Sequence, residues 1–145
     1  MAPTEHVFTL TSEVEEVRST LEGVRQSIDD TPAFAEIGDV AQIILGEVLN
    51  NIVEHAYQFE AGHPVELILA FRDMTLDVRV TDHGITMPEG SPPNGGMPAL
   101  DEDGRDALPE GGFGWAMIHA LTTGLSYSRD GDCNLLAFSI PIPAS

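Results

Sequence analysis

Lysine is absent from this sequence of 145 residues, which sets six arginines against 24 acidic residues. The formal net charge is therefore −18. A DNA-binding surface is excluded, because neutralising the phosphates of a nucleic acid requires clustered Lys and Arg. Binding to an anionic membrane surface is disfavoured for the same reason. The missing lysine also excludes a Walker A loop and a Schiff-base enzyme.

Cysteine and long apolar runs are scarce as well. The single cysteine, Cys133, cannot form an intrachain disulfide, which agrees with a reducing compartment. No apolar run approaches the roughly 20 residues of a membrane span, and residues 1–16 lack the features of a secretory signal. Hydrophobic residues still make up 42% of the chain, enough for a packed core. We therefore expect a single cytoplasmic domain over residues 1–145.

The spacing of apolar residues predicts the element order β-α-α-β-β-loop-α-β-β. A strand at residues 7–10 precedes a helix that begins with a capping box of Ser12 and Glu15. The longest helix begins with Thr31 as N-cap and runs to about Tyr57. The remaining elements are strands at 65–71 and 74–81, a helix at 115–122, and strands at 125–129 and 134–140. This order predicts an α+β fold, a two-layer sandwich whose mostly antiparallel, mixed sheet carries its helices on one face.

Residues 85–110 form a loop in this interpretation, because they contain five prolines and four glycines. Neither a helix nor a strand persists through that density of Pro and Gly. A loop of this length within a domain is typical of a functional segment or of disorder.

The long helix carries a polar stripe of Glu47, Asn51 and His55 at a spacing of four residues. The apolar residues around this stripe indicate a deeply packed helix. Asn51 offers a neutral oxygen ligand for Mg²⁺, and Glu47 can orient or deprotonate a nucleophile. The alternative is an ordinary solvated polar face. We interpret His55 as a packed or capping histidine rather than a ligand.

Asp82 ends an apolar row of the second hairpin strand, since the inward positions of that strand run from Met74 to Val80. A carboxylate there can accept a hydrogen bond from a ligand's amino group in a semi-apolar pocket. Gly84 would let a ligand approach the backbone closely. The alternative is a common Asp-x-Gly turn at the end of a strand.

Glycines at 111, 112 and 114, with Phe113 between the last two, precede the third helix. Free N–H groups at a helix N-terminus bind phosphate, and glycine removes steric obstruction. The alternative is a flexible turn before a helix. The third glycine of a dinucleotide-binding fingerprint is replaced by Met117, which excludes that fold.

Together, these three motifs resemble those of the Bergerat-fold ATPase and kinase superfamily, which includes gyrase and the histidine kinases. Glu47, Asn51 and His55 resemble its N box, Asp82-x-Gly84 its first glycine box, and Gly112-x-Gly114 its second. The run Asn-Asn-Ile-Val-Glu-His-Ala-Tyr at 50–57 is similar to that of bacterial anti-sigma-factor serine-protein kinases.

The resemblance implies a role for each matching residue. Glu47 would be the catalytic base for an attacking hydroxyl, and Asn51 would hold the Mg²⁺ of a bound ATP. Asp82 and Gly84 would bind adenine, and residues 85–110 would form the ATP lid. The phosphates would be bound by backbone N–H groups of Gly112, Phe113 and Gly114. Arg105, the only basic residue of the loop, is our candidate for a γ-phosphate contact; otherwise it offsets its acidic neighbours.

The sequence departs from the superfamily pattern in two places. Ile85-Thr86 stands where many relatives have a second glycine. The Cys133-Asn134 region stands where a threonine is common, and Asn134 can still bond adenine or a bridging water.

The resemblance implies an ATP- and Mg²⁺-dependent serine/threonine-protein kinase that acts by partner switching. Its expected partners are an anti-sigma-factor antagonist as substrate, a sigma factor or equivalent regulator, and a second copy in a homodimer. No nucleic acid or membrane is expected as a partner. The alternatives are a nucleotide-binding sequestration module with little or no catalysis, and a histidine-kinase catalytic domain detached from its phosphoacceptor.

Overall fold

The computed structural model describes residues 4–87 and 112–143. Arg105 and most of the predicted loop at 85–110 lie outside the described residues. The order of the helices and strands within the described ranges is the predicted one.

Five strands form one sheet in the described part of the chain, in the order β1-β2-β3-β5-β4. Each pairing among them is antiparallel, so the expected mixed sheet shows no parallel pair within residues 4–87 and 112–143. The fold is α+β, as predicted. The strand bounds are β1 Thr4–Thr11, β2 Pro64–Phe71, β3 Thr75–Asp82, β4 Thr123–Asp130 and β5 Cys133–Pro141.

One face of the sheet is buried, because the strands place apolar residues at every second position. Leu76, Val78 and Val80 of β3 all point into the core, as the alternation predicts. Met74 was expected to continue this row, but it lies before β3 and is 56% exposed. The turn at residues 72–74 therefore takes Met74 out of the alternating pattern.

Three α-helices lie in the described residues: α1 Val14–Asp29, α2 Gly38–Asn51 and α3 Gly112–Leu121. The helical layer packs on the buried face, and α2 contacts both α1 and α3. Ile44, Leu45, Val48 and Leu49 of α2 are all buried, which confirms the deeply packed helix. None of the helices within 4–87 and 112–143 is long and apolar enough to cross a membrane.

The predicted capping box of α1 is wrong. Glu13 occupies the N-cap position and caps no N–H with its side chain. The Ser12 hydroxyl instead donates to the carbonyl of Glu60 (2.6 Å) and accepts from the N–H of His63 (3.0 Å). A buried hydroxyl is satisfied by whichever polar groups lie nearest, and here these belong to the segment before β2.

The long helix is divided into three segments with different hydrogen-bonding patterns. A 3₁₀ segment, Pro32–Ile37, leads into α2, and a π turn, Ile52–Ala56, follows it. Thr31 is the N-cap position as predicted, but its hydroxyl donates back to the carbonyl of Ser27 (3.0 Å). The extent of the predicted helix is thus confirmed, while its regularity is not.

Candidate functional site

Glu47 and Asn51 lie one turn apart on α2, and we call them the α2 pair. Both side chains are partly exposed, although the opposite face of the helix is fully buried. Neither makes a hydrogen bond or ion pair with another residue of the described ranges. Within the described residues, no side chain or backbone group occupies their carboxylate and carboxamide oxygens.

The helix widens into a π turn between Asn51 and the end of the stripe at His55. The N–H of Tyr57 bonds the carbonyl of Ile52 (2.9 Å), five residues back instead of four. The His55 side chain is 69% exposed and lies 3.8 Å from the carboxylate of Glu54. The interpretation of His55 as a packed or capping residue is therefore wrong.

The π turn brings the end of the helix against Gly84. The N–H of Ile85 donates to the carbonyl of Ala56 (2.9 Å). A Cβ atom built on Gly84 would clash with that carbonyl group, lying only 2.6 Å from its carbon. Glycine is required here by the chain's own backbone, whatever its relation to a ligand.

Asp82 lies at the buried end of β3, and the residue is only 5% exposed. Its Oδ1 atom accepts two hydrogen bonds, from the N–H of Gly84 (2.8 Å) and from Nδ2 of Asn134 (2.8 Å). The sheet register explains the second bond, because Asp82 and Asn134 are opposite each other on β3 and β5. A buried carboxylate needs such partners, since leaving it without them is costly.

The side chain of Asn134 is held in turn by two residues of β4 that the sequence interpretation missed. Its Oδ1 atom accepts hydrogen bonds from the hydroxyl of Tyr127 and from Nη1 of Arg129 (3.0 Å). Residues 127 and 129 are two apart on a strand, so they share a face. This spacing of two residues and the polar ends of both side chains are the sequence features that could have pointed to Tyr127 and Arg129. We call Asp82, Asn134, Tyr127 and Arg129 the Asp82 cluster.

Tyr57 supports the cluster from the helical side. Its hydroxyl accepts from the N–H of His83 (2.7 Å) and donates to the carbonyl of Pro64 (2.6 Å). Burial raises the pKa of Tyr57 above its ordinary value, and the negative charge of Asp82 acts in the same direction, whereas the bond from His83 opposes it. The phenol therefore stays neutral and joins the ends of β2 and β3.

Helix α3 begins at Gly112, so Phe113 and Gly114 belong to its first turn. The prediction that a glycine-rich run opens a helix is confirmed, although the helix begins three residues earlier than expected. The first N–H groups of any α-helix have no partner within the helix. Since α3 packs against α2, this helix start belongs to the same layer as the α2 pair.

The described part of the fold thus arranges the three motifs around one helix. The α2 pair lies on it, the Gly84–Ile85 segment that follows Asp82 contacts its π-turn end, and α3 packs beside it. Within residues 4–87 and 112–143, no three His, Cys, Asp or Glu side chains cluster closely enough to hold a metal ion. The side chain of Asn51 nevertheless fits a magnesium–nucleotide complex, because protein sites often give Mg²⁺ only one or two oxygens and leave the rest to phosphates and water.

Comparison with known proteins agrees with this geometry. Serine-protein kinase RsbW of Bacillus thuringiensis (strain Al Hakam) is 25% identical over 114 residues, which cover 79% of this chain and 69% of that protein. The proteins of the same name from Bacillus cereus (strain AH820) and Bacillus anthracis show the same identity and coverage. The family model of the histidine kinase-like ATPase domain matches residues 10–140. Since that match spans most of the sequence, the chain belongs to the histidine kinase-like ATPase domain family.

Proposed function

We propose that the chain is an ATP- and Mg²⁺-dependent serine/threonine-protein kinase and an anti-sigma-type regulator that acts by partner switching. The observation that carries the proposal is Glu47, a partly exposed carboxylate one turn before Asn51 on a helix whose π-turn end contacts the segment next to Asp82. Nucleotide binding alone needs no such base, whereas transfer to a hydroxyl does. The similarity to the serine-protein kinase RsbW supports the same reaction class.

Each predicted site residue takes a role in this proposal. Asp82 accepts a hydrogen bond from the amino group of adenine, and Gly84 lies beside the ring. The first N–H groups of α3, at Gly112, Phe113 and Gly114, bind phosphate oxygens. Asn51 contributes an oxygen to magnesium, which when bound neutralises charge on the phosphates. Glu47 orients the hydroxyl of the protein substrate and accepts its proton.

Arg105 is proposed to contact the γ-phosphate, and it lies outside the described residues. The protein partners are an anti-sigma-factor antagonist, which is phosphorylated, and a sigma factor or equivalent regulator, which is sequestered. These identities follow from the family resemblance.

A homodimer is also proposed, and strand β1 supports it. In the described sheet β1 is an edge strand paired only with β2, and it has eight residues without Pro or Lys. Such an edge is suited to pairing with another chain. The opposite edge, β4, is interrupted by a register shift and by Gly124 with a φ of +67°. The mass of the protein in solution, measured by light scattering, tests this.

Glu47→Gln separates catalysis from binding. The variant keeps the size of the side chain and removes the base, so we expect phosphotransfer from labelled ATP to the antagonist to fall at least ~100-fold. The affinity for ATP, measured by calorimetry, should stay within about twofold. Asn50→Asp, an exposed substitution on the same helix, is the control and should retain transfer.

Two results would redirect the proposal. If the wild type binds ATP with magnesium but transfers no phosphate, the chain is a sequestration module. If transfer survives in Glu47→Gln, Glu47 is not the base.

A further inference from the structure

The side-chain amide of Asn134 uses all its hydrogens within the protein. Its Nδ2 atom lies 2.8 Å from Oδ1 of Asp82, 3.0 Å from the carbonyl oxygen of Ile85 and 3.3 Å from that of Gly84. An amide nitrogen has two hydrogens to donate, and three acceptors compete for them here. Asn134 is 3% exposed. In this orientation it has no hydrogen left for a ligand.

Strand β4 determines which way this amide points. The carbonyl oxygen of the Asn134 side chain accepts from the Tyr127 hydroxyl and from the Arg129 guanidinium. A rotation of the amide by half a turn would place its NH₂ group against the guanidinium and its oxygen against the Asp82 carboxylate. Both contacts would be repulsive, so Arg129 and Asp82 select the observed orientation, and the Tyr127 hydroxyl stabilises it by donating to the amide oxygen.

The orientation of Asn134 in turn fixes the Asp82 carboxylate. Both hydrogen bonds that Asp82 accepts from described residues, one from Gly84 and one from Asn134, end on Oδ1. The second oxygen, Oδ2, is the one left to accept from a ligand. The carboxylate therefore presents a fixed acceptor and no donor.

The same two β4 side chains also hold the backbone that follows Asp82. Nη1 of Arg129 donates to the carbonyl of Gly84 (2.6 Å), and the Tyr127 hydroxyl accepts from the N–H of Met87 (3.0 Å). Tyr127 and Arg129 thus contact both the residue that orients Asp82 and the chain next to it.

We infer that Tyr127 and Arg129 are positioning residues that hold the Asn134 amide on Asp82, and so make the site select a 6-amino purine nucleotide over a 6-oxo purine nucleotide. The inference rests on the proposed nucleotide site at Asp82. A carboxylate accepts from the amino group of adenine but repels the carbonyl oxygen of hypoxanthine. As long as Asn134 is held, no donor can turn toward that carbonyl. An amide released from β4 can do so, and the preference then falls.

The test compares ATP with inosine triphosphate, which differs at position 6 of the purine. Dissociation constants of both nucleotides, each with magnesium, are measured by calorimetry for the full chain and for Tyr127→Phe. Loss of one hydrogen bond changes such constants by ~3- to 10-fold, so we expect the ratio that favours ATP to fall ~5-fold. Arg129→Met, an exposed substitution, should lower the ratio in the same direction.

Ser139→Ala is the matched control. The Ser139 hydroxyl donates to Asp77 (2.6 Å) across the same two strands, at the far end of the β3–β5 pair. The variant loses an equivalent cross-strand bond without touching the Asp82 cluster, so its nucleotide preference should equal that of the wild type. A loss as large as that of Tyr127→Phe would show a general effect of stability and overturn the inference.

A double variant decides whether Tyr127 acts through Asn134. In an Asn134→Ala background, Tyr127→Phe should leave the nucleotide ratio unchanged, because the side chain that it orients is gone. A further fall of equal size in that background would overturn the inference, as would an unchanged ratio in both Tyr127→Phe and Arg129→Met. A wild type that binds neither nucleotide would overturn the proposed function itself.

Discussion

The α2 pair and the Asp82 cluster differ in what holds their acidic side chains. Asp82 is buried and accepts two hydrogen bonds from the protein, one from the backbone and one from Asn134. Glu47 is partly exposed and bonds no other residue of the described ranges. The orientation of the Asp82 side chain is therefore fixed by the folded protein, whereas no described residue fixes the orientation of the Glu47 side chain. A site that recognises a base and then moves a proton benefits from both arrangements.

The largest effect that separates the two groups is expected in stability. Asp82→Ala leaves the N–H of Gly84 without its acceptor, removes one of the three acceptors near Nδ2 of Asn134 and opens a buried gap, which together should cost about 3 kcal/mol in the free energy of unfolding. Glu47→Ala should change it by less than ~0.5 kcal/mol, because no bond to a described residue is lost. Urea denaturation followed by circular dichroism measures both.

Asp82→Asn refines this comparison. Asparagine keeps the Oδ1 acceptor, so the variant should retain most of the stability that Asp82→Ala loses. Equal losses in the alanine variants of Asp82 and Glu47 would contradict the difference between the two groups.

A smaller effect is expected where the π turn contacts Gly84. Gly84→Ala places a Cβ atom against the backbone carbonyl of Ala56, which cannot move without disturbing the π turn. We expect a loss of about 2 kcal/mol in the free energy of unfolding. Gly46→Ala in α2 is the matched control, because the added Cβ atom would lie at an ordinary contact distance of 3.7 Å from Leu21 of α1.

Alanine also favours a helix over glycine, so the control variant should be stabilised by ~0.5 to 1 kcal/mol. Opposite signs for the two glycine variants are the expected result. If Gly84→Ala left the free energy of unfolding unchanged, the close approach of residue 84 to Ala56 would not limit the side chain at this position.

The smallest effect concerns pH. Burial raises the pKa of Tyr57 in the folded state, so the unfolded chain loses that proton first as the pH rises. This contribution to stability is complete below about pH 10 and decreases above it. Tyr57→Phe should lower the free energy of unfolding by about 1 kcal/mol at neutral pH, since it removes two hydrogen bonds.

Above about pH 10 the decline should be shallower in Tyr57→Phe than in the wild type. Denaturation curves between pH 7 and 11 measure this. A slope unchanged by the substitution would assign the alkaline loss to other groups.

Much of the fold could be predicted because it depends on local periodicity. The alternation in β2, β3 and β5 and the apolar stripe of α2 each report one buried face. The errors are equally local. Ser12 has the residue type of a helix cap, but its hydroxyl bonds the segment before β2. Met74 fits the apolar alternation of β3 in the sequence, but it precedes the strand and is exposed.

The site could be predicted only in part. Spacing points to the proposed site residues Glu47, Asn51 and Asp82 and to the glycines in the first turn of α3, since they lie at element ends or on one helical stripe. Tyr127 and Arg129 are not found this way, because their partner Asn134 belongs to the neighbouring strand and Gly84 lies more than 40 residues earlier in the chain. The π turn at Ile52–Ala56 was not predicted either, because it leaves no periodic signal.

The sequence by itself determined the chemistry that this protein can use. With a net charge of −18 and no lysine, it has no lysine to place on phosphates, and backbone N–H groups, arginine or a metal must serve instead. The tertiary structure alone decided how the polar side chains are oriented. Asn134 of the neighbouring strand orients the side chain of Asp82, and the end of the helix leaves room only for glycine at position 84. Such hydrogen bonds and steric contacts form between residues that only the fold brings together.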